Sequence, residues 1–98
     1  DMCYVDNVVD VNIRAANHKG TFRGEAFNVA CGDRTSNNQI LAKFQEKFGD
    51  LNINQAPFRP GDVMHTQADI SETERVFGYK PLVRFWDGLE KTFEWWDI

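Results

Sequence analysis

Glu25-Ala26-Phe27-Asn28-Val29-Ala30-Cys31, followed at once by Gly32-Asp33-Arg34-Thr35-Ser36, is the stretch whose reading decides the fold class. Its first seven residues are short and largely apolar, the pattern of a strand covered on both faces. Gly32-Asp33-Arg34 then supplies turn chemistry. Ser36 with Gln39 forms a capping-box pattern that opens a helix. Ile40, Leu41, Phe44 and Phe48 give that helix its apolar stripe, and Gly49 ends it. Two polar residues interrupt this logic. Asn28 lies inside the strand, where an amide is either paired within the core or turned to a ligand. Arg34 stands just before the helix start, a place where an anion can bind, although capping alone accounts for the serine.

Outward from this unit the chain alternates in the same way. Val5, Val8, Val9, Ile13 and Ala16 form one apolar stripe of a helix over residues 5–17. Its valines are poor helix formers, so packing must hold it. His18-Lys19-Gly20 is expected to close it, with Gly20 in the left-handed cap position. Residues 51–57 alternate apolar and polar and read as a half-exposed strand ended by Pro57. Ser71 and Glu74 suggest a second capping box, opening a short helix that Gly78 closes. A last helix over residues 85–96 carries the stripe Phe85, Leu89, Phe93 and Trp96, with its tryptophans expected in the core. The order helix, strand, helix, strand, helix, helix predicts an α/β fold, mostly helices with a few short strands, too few for a complete sheet. The chain opens at Asp1 in the middle of a pattern, which suggests a truncated piece.

Composition excludes several functions. Ninety-eight residues suffice for one small domain with a single core. A net charge of −4 argues against a general nucleic-acid binder, which shows a basic patch. There is no membrane-length apolar run and no signal-peptide pattern, so a cytoplasmic protein is expected. Cys3 and Cys31 form no CxxC and have no companions that complete a metal set; two buried free thiols are expected. Three tryptophans and eight phenylalanines are many for this length, so some apolar area is expected to face a partner.

Arg59-Pro60-Gly61-Asp62 gathers the most suggestive polar groups. Arg59 offers a planar charged fork suited to phosphate. Pro60 fixes one dihedral, and Gly61 permits a sharp turn and close approach to a ligand. Asp62 accepts hydrogen bonds from hydroxyls or from neighbouring backbone. The same four residues also make an ordinary surface turn. No GxGxxG loop, GxxxxGK[ST] loop, GxSxG elbow or HExxH helix is present. Asp6 and Asp10 read as a solvated helix face, and His65 and Asp69 fall in an extended segment whose geometry separates them. Binding groups are present without a reaction centre, and no catalytic residue is assigned.

Taken in order, these stretches resemble the C-terminal portion of extended short-chain dehydrogenase/reductases, the NAD-dependent nucleotide-sugar epimerases and dehydratases. Asp1-Met2-Cys3-Tyr4-Val5-Asp6-Asn7-Val8-Val9 is similar to a DFxYVxDVV motif, and Phe27-Asn28-Val29 to a YN[IV] strand. Gly32-Asp33-Arg34-Thr35-Ser36-Asn37-Asn38 resembles GxRTSLN, and Arg59-Pro60-Gly61-Asp62 matches RxGD. Ala68-Asp69-Ile70-Ser71 with Gly78-Tyr79-Lys80-Pro81 resembles ADxS…LGYxP, and Gly88-Leu89 with Trp95 a closing GL…W helix. Met2 and Asn37 depart from the usual phenylalanine and leucine.

The resemblance implies a Rossmann-type α/β parent whose substrate is a UDP-sugar or related nucleotide sugar. It implies that Arg59 helps hold the diphosphate and that Asp62 lies by the ribose, with Asn28 and Arg34 substrate-side or structural. The GxRTS pattern leans toward UDP-N-acetylglucosamine 4-epimerases, with dehydratase and decarboxylase relatives sharing this part. Family members bind NAD through a glycine-rich loop and do proton chemistry with a YxxxK pair; neither pattern occurs here. Residues 1–98 are therefore expected to form one truncated substrate-binding region that binds no NAD and is inactive alone. The alternative is a stand-alone small binding or interaction module derived from such a domain. On the first reading, the valine stripe and the strand edge are normally covered by another domain, so self-association through them is expected.

Overall fold

Four helices form in the computed structural model, which describes residues 1–96: α1 (Val5–Ala16), α2 (Asn37–Phe48), α3 (Ser71–Phe77) and α4 (Phe85–Trp96). The helices stand where periodicity and caps place them, with two local differences. At α2, Gln39 N–H donates to Ser36 Oγ at 3.2 Å while Ser36 N–H donates to Gln39 Oε1 at 2.9 Å, a complete capping box. At α3 the box expected from Ser71 and Glu74 does not form. Asp69 lies two residues upstream and takes both the Ser71 N–H (3.0 Å) and the Ser71 hydroxyl (2.6 Å) on Oδ1, so Ser71 becomes the first helical residue. Those two bonds hold the Asp69 carboxyl below its ordinary range. Gly78 closes α3 in the left-handed region at φ +64°. Gly20 plays no such part: α1 ends earlier, on Asn17, whose side-chain amide donates to Ile13 O at 3.0 Å.

The strands expected at residues 25–31 and 51–57 do not form, and the described residues contain no sheet. A strand exists only against a backbone partner, and no backbone–backbone hydrogen bond among the described residues involves either stretch. Residues 27–32 are instead fastened by side chains. The Thr73 hydroxyl donates to Asn28 O at 2.5 Å, and the Tyr79 hydroxyl donates to Ala30 O at 2.7 Å. The Asp1 carboxylate accepts from Cys31 N at 3.1 Å and, on its other oxygen, from Ala68 N at 3.2 Å. Asn28 Nδ2 donates to Asp69 O at 3.3 Å and Gln67 Nε2 to Gly32 O at 2.6 Å, so segments 27–32 and 66–70 lie side by side without a ladder.

Asn7 joins α1 to the approach to α4. It is fully buried; its carbonyl accepts from Leu82 N at 2.8 Å and Val83 N at 3.0 Å, and its Nδ2 donates to Val83 O at 2.8 Å. One amide thus satisfies three backbone groups of a loop that has no secondary structure of its own. Gly88 of α4 lies against Tyr4, where a Cβ would come within 2.7 Å of the Tyr4 Cβ, so the absence of a side chain sets the approach of this helix.

The core gathers Val11, Ala30, Ile70, Phe77 and Tyr79, with Phe27, Val29 and Val76 packed on it. A second cluster joins α2 to α4 through Phe44, Phe48 and Phe93, whose ring centroids lie 5.2–5.8 Å apart in edge-to-face and tilted pairs. The stripe read from α1 faces the other way. Asn7 and Val11 form the buried side, while Val5, Val9 and Ile13 are exposed at 60%, 46% and 57%. Trp95 (77%) and Trp96 (63%) are also exposed, contrary to the core position expected for them.

These faces make the molecule thin and open. Its extents are 51 × 34 × 17 Å and its radius of gyration is 16.5 Å, against about 13 Å for a compact domain of this length. It exposes 7,881 Å², where a compact monomer of 11.3 kDa exposes about 5,700 Å².

Two predictions follow from the buried polar groups. Asn7→Ala orphans three backbone groups and is expected to cost about 2–4 kcal/mol in urea denaturation, while Asn12→Ala on the exposed side stays within about 0.5 kcal/mol. Burial pushes the Tyr79 hydroxyl from 10 up to about 12. The folded state then keeps a proton that the unfolded chain releases, so this contribution is whole below pH 10 and is lost as pH rises from 10 toward 12. Denaturation curves through this window are expected to show the decline in the native chain and a flatter profile in Tyr79→Phe.

Candidate functional site

Arg59-Pro60-Gly61-Asp62 closes as a type II turn. Asp62 N–H donates to Arg59 O at 3.2 Å, and Gly61, in the third position, has φ +88°, which a side chain would strain. The Asp62 carboxylate folds back on the turn: Oδ2 accepts from Arg59 Nε at 3.3 Å and Arg59 N at 3.4 Å. This leaves both terminal nitrogens of the guanidinium, and the Asp62 Oδ1, without a hydrogen bond among the described residues. The Arg59 side chain is 84% exposed. The turn therefore presents a charged fork whose inner edge is already oriented and whose outer edge is open.

The turn sits in a stretch, residues 52–67, in which every residue is exposed, Phe58, Val63 and Met64 among them. A segment of this length without secondary structure is uncommon inside a compact domain and is usually either a functional loop or a linker. Its far end is pinned by the Asp1 carboxylate at Ala68 and by Gln67 at Gly32. Arg59 and Asp62 line none of the surface hollows described. The largest, about 500 Å³, is shallow and lies between α2 and α4 beside Lys43, Trp86 and Glu90. A second, of about 370 Å³, is an apolar groove between residues 2–5 and α4. The site as it stands is an open surface with no wall to exclude water, so its ionic contacts are weak.

The other two residues singled out by sequence separate. Asn28 commits its amide to Asp69 O and its carbonyl to Thr73, and so holds the fold. Arg34 is exposed and makes no ion pair among the described residues. Arg84, which the sequence reading passed over, donates from Nη1 to Asp33 Oδ2 at 3.0 Å and to Cys31 O at 3.3 Å, fastening the turn before α2. Asp1, Thr73 and Tyr79 were likewise missed as supports, although Asp1 and Tyr79 lie within the motifs quoted above. A buried polar residue on an otherwise apolar packing face, as Asn7 is, was the available signal.

Burial pushes the Cys31 thiol up, away from the thiolate a metal requires, and no group of three or more ligating side chains gathers among the described residues. α2 is the helix preceded by a glycine turn, and its capping box engages the Gln39 N–H and the Ser36 N–H.

The chain is similar in sequence to several longer proteins. It is 32% identical over 97 residues to an uncharacterized protein of Methanocaldococcus jannaschii, covering 97% of this chain and 29% of that protein. It is 32% identical over 95 residues to a UDP-glucose 4-epimerase of Mycolicibacterium smegmatis, covering 96% of this chain and 30% of the epimerase. To UDP-glucuronate 4-epimerase 2 of Arabidopsis thaliana it is 33% identical over 113 aligned residues, 98% of this chain and 25% of that enzyme. The chain thus spans less than a third of the length of the curated relatives it matches. No family model and no solved structure matches it. This similarity to two UDP-sugar 4-epimerases accords with the resemblance read from the motifs. No helix among the described residues is long and apolar enough to cross a membrane.

If the turn is a binding element and not a support, its charges are dispensable for folding. Arg59→Ala, which removes one exposed ion pair, is expected to change stability by no more than about 0.5 kcal/mol. Thr73→Ala, which orphans the Asn28 carbonyl behind a fully buried hydroxyl, is expected to cost about 1–3 kcal/mol. Paired thermal melts of the two variants check the contrast.

Proposed function

We propose that this chain forms the substrate-side part of a nucleotide-sugar 4-epimerase, with Arg59 on the diphosphate and Asp62 by the ribose. The observation that carries the reading is the turn itself, where Asp62 holds the inner edge of the Arg59 guanidinium and leaves the outer edge open. A planar fork with its outer nitrogens presented side by side suits two phosphate oxygens. The open Asp62 Oδ1 is an acceptor for a ribose hydroxyl. Pro60 and Gly61 stiffen the turn, so little order has to be gained when the ligand arrives.

The similarity to a UDP-glucose and a UDP-glucuronate 4-epimerase supports a UDP-sugar as the ligand class. Within that class, the Gly32-Asp33-Arg34-Thr35-Ser36 pattern favours UDP-N-acetylglucosamine. One exposed arginine against a doubly charged diphosphate gives only a weak complex. The walls that exclude water, the NAD site and the groups that move the sugar C4 proton are assigned to polypeptide other than residues 1–98. NAD, bound elsewhere in a complete enzyme of this kind, would supply the hydride chemistry. The residues here bind and orient the nucleotide end.

Calorimetric titration of the chain with UDP, UDP-N-acetylglucosamine and NAD tests the proposal. Weak uridine-nucleotide binding is expected, reduced tenfold or more in Arg59→Ala, with none to NAD. Absence of uridine-nucleotide binding, or binding indifferent to Arg59→Ala, overturns it.

A further inference from the structure

Cys3 and Cys31 take no part in the ligand reading, yet the fold brings them to one place. Cys3 Sγ donates to Tyr4 O at 3.5 Å, and the Asn7 N–H donates to the same carbonyl at 3.1 Å. Asn7 reaches Cys31 with its side chain, Nδ2 donating to Cys31 Sγ at 3.9 Å. Asp1 reaches it from the backbone side, Oδ1 accepting from Cys31 N at 3.1 Å. Residues 1 and 7 thus both touch Cys31, and Cys3 lies between them in the chain. Cys3 also packs on the core that holds Ala30, the residue before Cys31. The two thiols are not equivalent. Cys31 is only 4% exposed, and burial first, then the neighbouring Cys3, pushes its thiol up. Cys3 is half-buried and lines the apolar groove of about 370 Å³ between residues 2–5 and α4.

We propose that Cys3 and Cys31 are a reactive thiol pair, which a small uncharged organic disulfide entering this groove oxidises to an intramolecular disulfide. Cys3 is the attacking thiol and Cys31 the resolving one. The Cys3 thiolate, its proton released to solvent, attacks one sulfur of the small disulfide; that S–S bond breaks, a mixed disulfide forms on Cys3, and a small thiolate leaves with the electron pair. Cys31 gives its proton to the departed thiolate and attacks Cys3 Sγ. The second small thiolate leaves and takes a proton from solvent. Two protein thiols are oxidised, and one small disulfide is reduced to two thiols. The groove is apolar and the chain carries a net charge of −4, so an uncharged disulfide is favoured over an anionic one.

The surroundings accommodate the oxidised pair because neither thiol hydrogen is needed. Tyr4 O, on losing the Cys3 thiol, keeps the Asn7 N–H. Val83 O, on losing the Cys31 thiol at 3.7 Å, keeps Asn7 Nδ2 at 2.8 Å. No buried acceptor is orphaned, so oxidation carries no such penalty. The new bond ties the start of the chain to residues 27–32, where the Asp1 carboxylate already bridges Cys31 and Ala68. It therefore fastens the anchor of the exposed loop in one redox state and leaves it to hydrogen bonds in the other. The inference is independent of the ligand reading, since neither cysteine belongs to the Arg59–Asp62 turn.

Treatment of the reduced chain with hydroxyethyl disulfide, followed by intact mass and peptide mapping, provides the test. The native chain is expected to lose about 2 Da, with Cys3 and Cys31 joined within one chain. Cys31→Ser is expected to stop at a mixed disulfide on Cys3, and Cys3→Ser to react about tenfold more slowly or less. Closure of the mixed disulfide is expected to run about tenfold faster or more in the folded chain than in urea, where the two cysteines meet only by chance. Circular dichroism checks the fold of each variant, and the comparison of the native chain with and without urea stands if a variant unfolds. A native chain that stays reduced, stops at mixed disulfides or links to a second chain overturns the inference. So does a folded Cys3→Ser chain that reacts as fast as the native one, or closure that is no faster in the folded chain than in urea.

Discussion

The carbonyl of Ala30 has no backbone partner among the described residues, and the buried Tyr79 hydroxyl donates to it at 2.7 Å. That substitution of a side chain for a neighbouring strand is repeated along residues 27–32, by Thr73 at Asn28, Asp1 at Cys31 N, Arg84 at Cys31 O and Gln67 at Gly32. The supports come from the start of the chain, from the end of the exposed loop, from α3 and from the residues after it. Each is thereby placed relative to one extended segment. Because a buried backbone group left unpaired costs about as much as several surface ion pairs gain, these few bonds outrank the exposed salt bridges in setting the fold.

The same segment explains how the candidate site is carried. Asp1 bridges Cys31 and Ala68, and Asp69, whose carbonyl receives the Asn28 amide, also starts α3. The loop bearing Arg59 and Asp62 is thus anchored at its far end while its middle projects into solvent. A binding turn on such a loop has orientation without enclosure. This is the physical reason that the substrate proposal assigns the enclosing wall to other polypeptide and expects weak affinity from these residues alone.

Most local signals were legible in the sequence; the Ser71–Glu74 box, displaced by Asp69, and the Gly20 cap were the exceptions. The capping box of Ser36 and Gln39, the left-handed Gly78, the bounds of the last helix and the Pro-Gly turn all depend on residues within a few positions of one another. Whatever depends on a distant partner was not. Residues 25–31 have the composition of a covered strand, but composition cannot supply the neighbour that makes a strand. The α1 stripe was equally ambiguous: periodicity marks an apolar face without saying what covers it, and here the covered side is the one carrying Asn7. Of the four site residues, Arg59 and Asp62 come together through turn chemistry, while Asn28, itself exposed, is tied to Thr73 and Asp69, partners more than forty residues away.

Amide hydrogen exchange across residues 27–32 and 66–70 tests most directly whether side chains, and no sheet, hold this segment. The Cys31 and Ala68 amides, each donating to the Asp1 carboxylate, are expected to exchange slowly. The amides of Asn28, Val29 and Ala30, which have no acceptor among the described residues, are expected to exchange fast. Protection of Val29 together with its neighbours in the alternating pattern of a ladder would contradict the account.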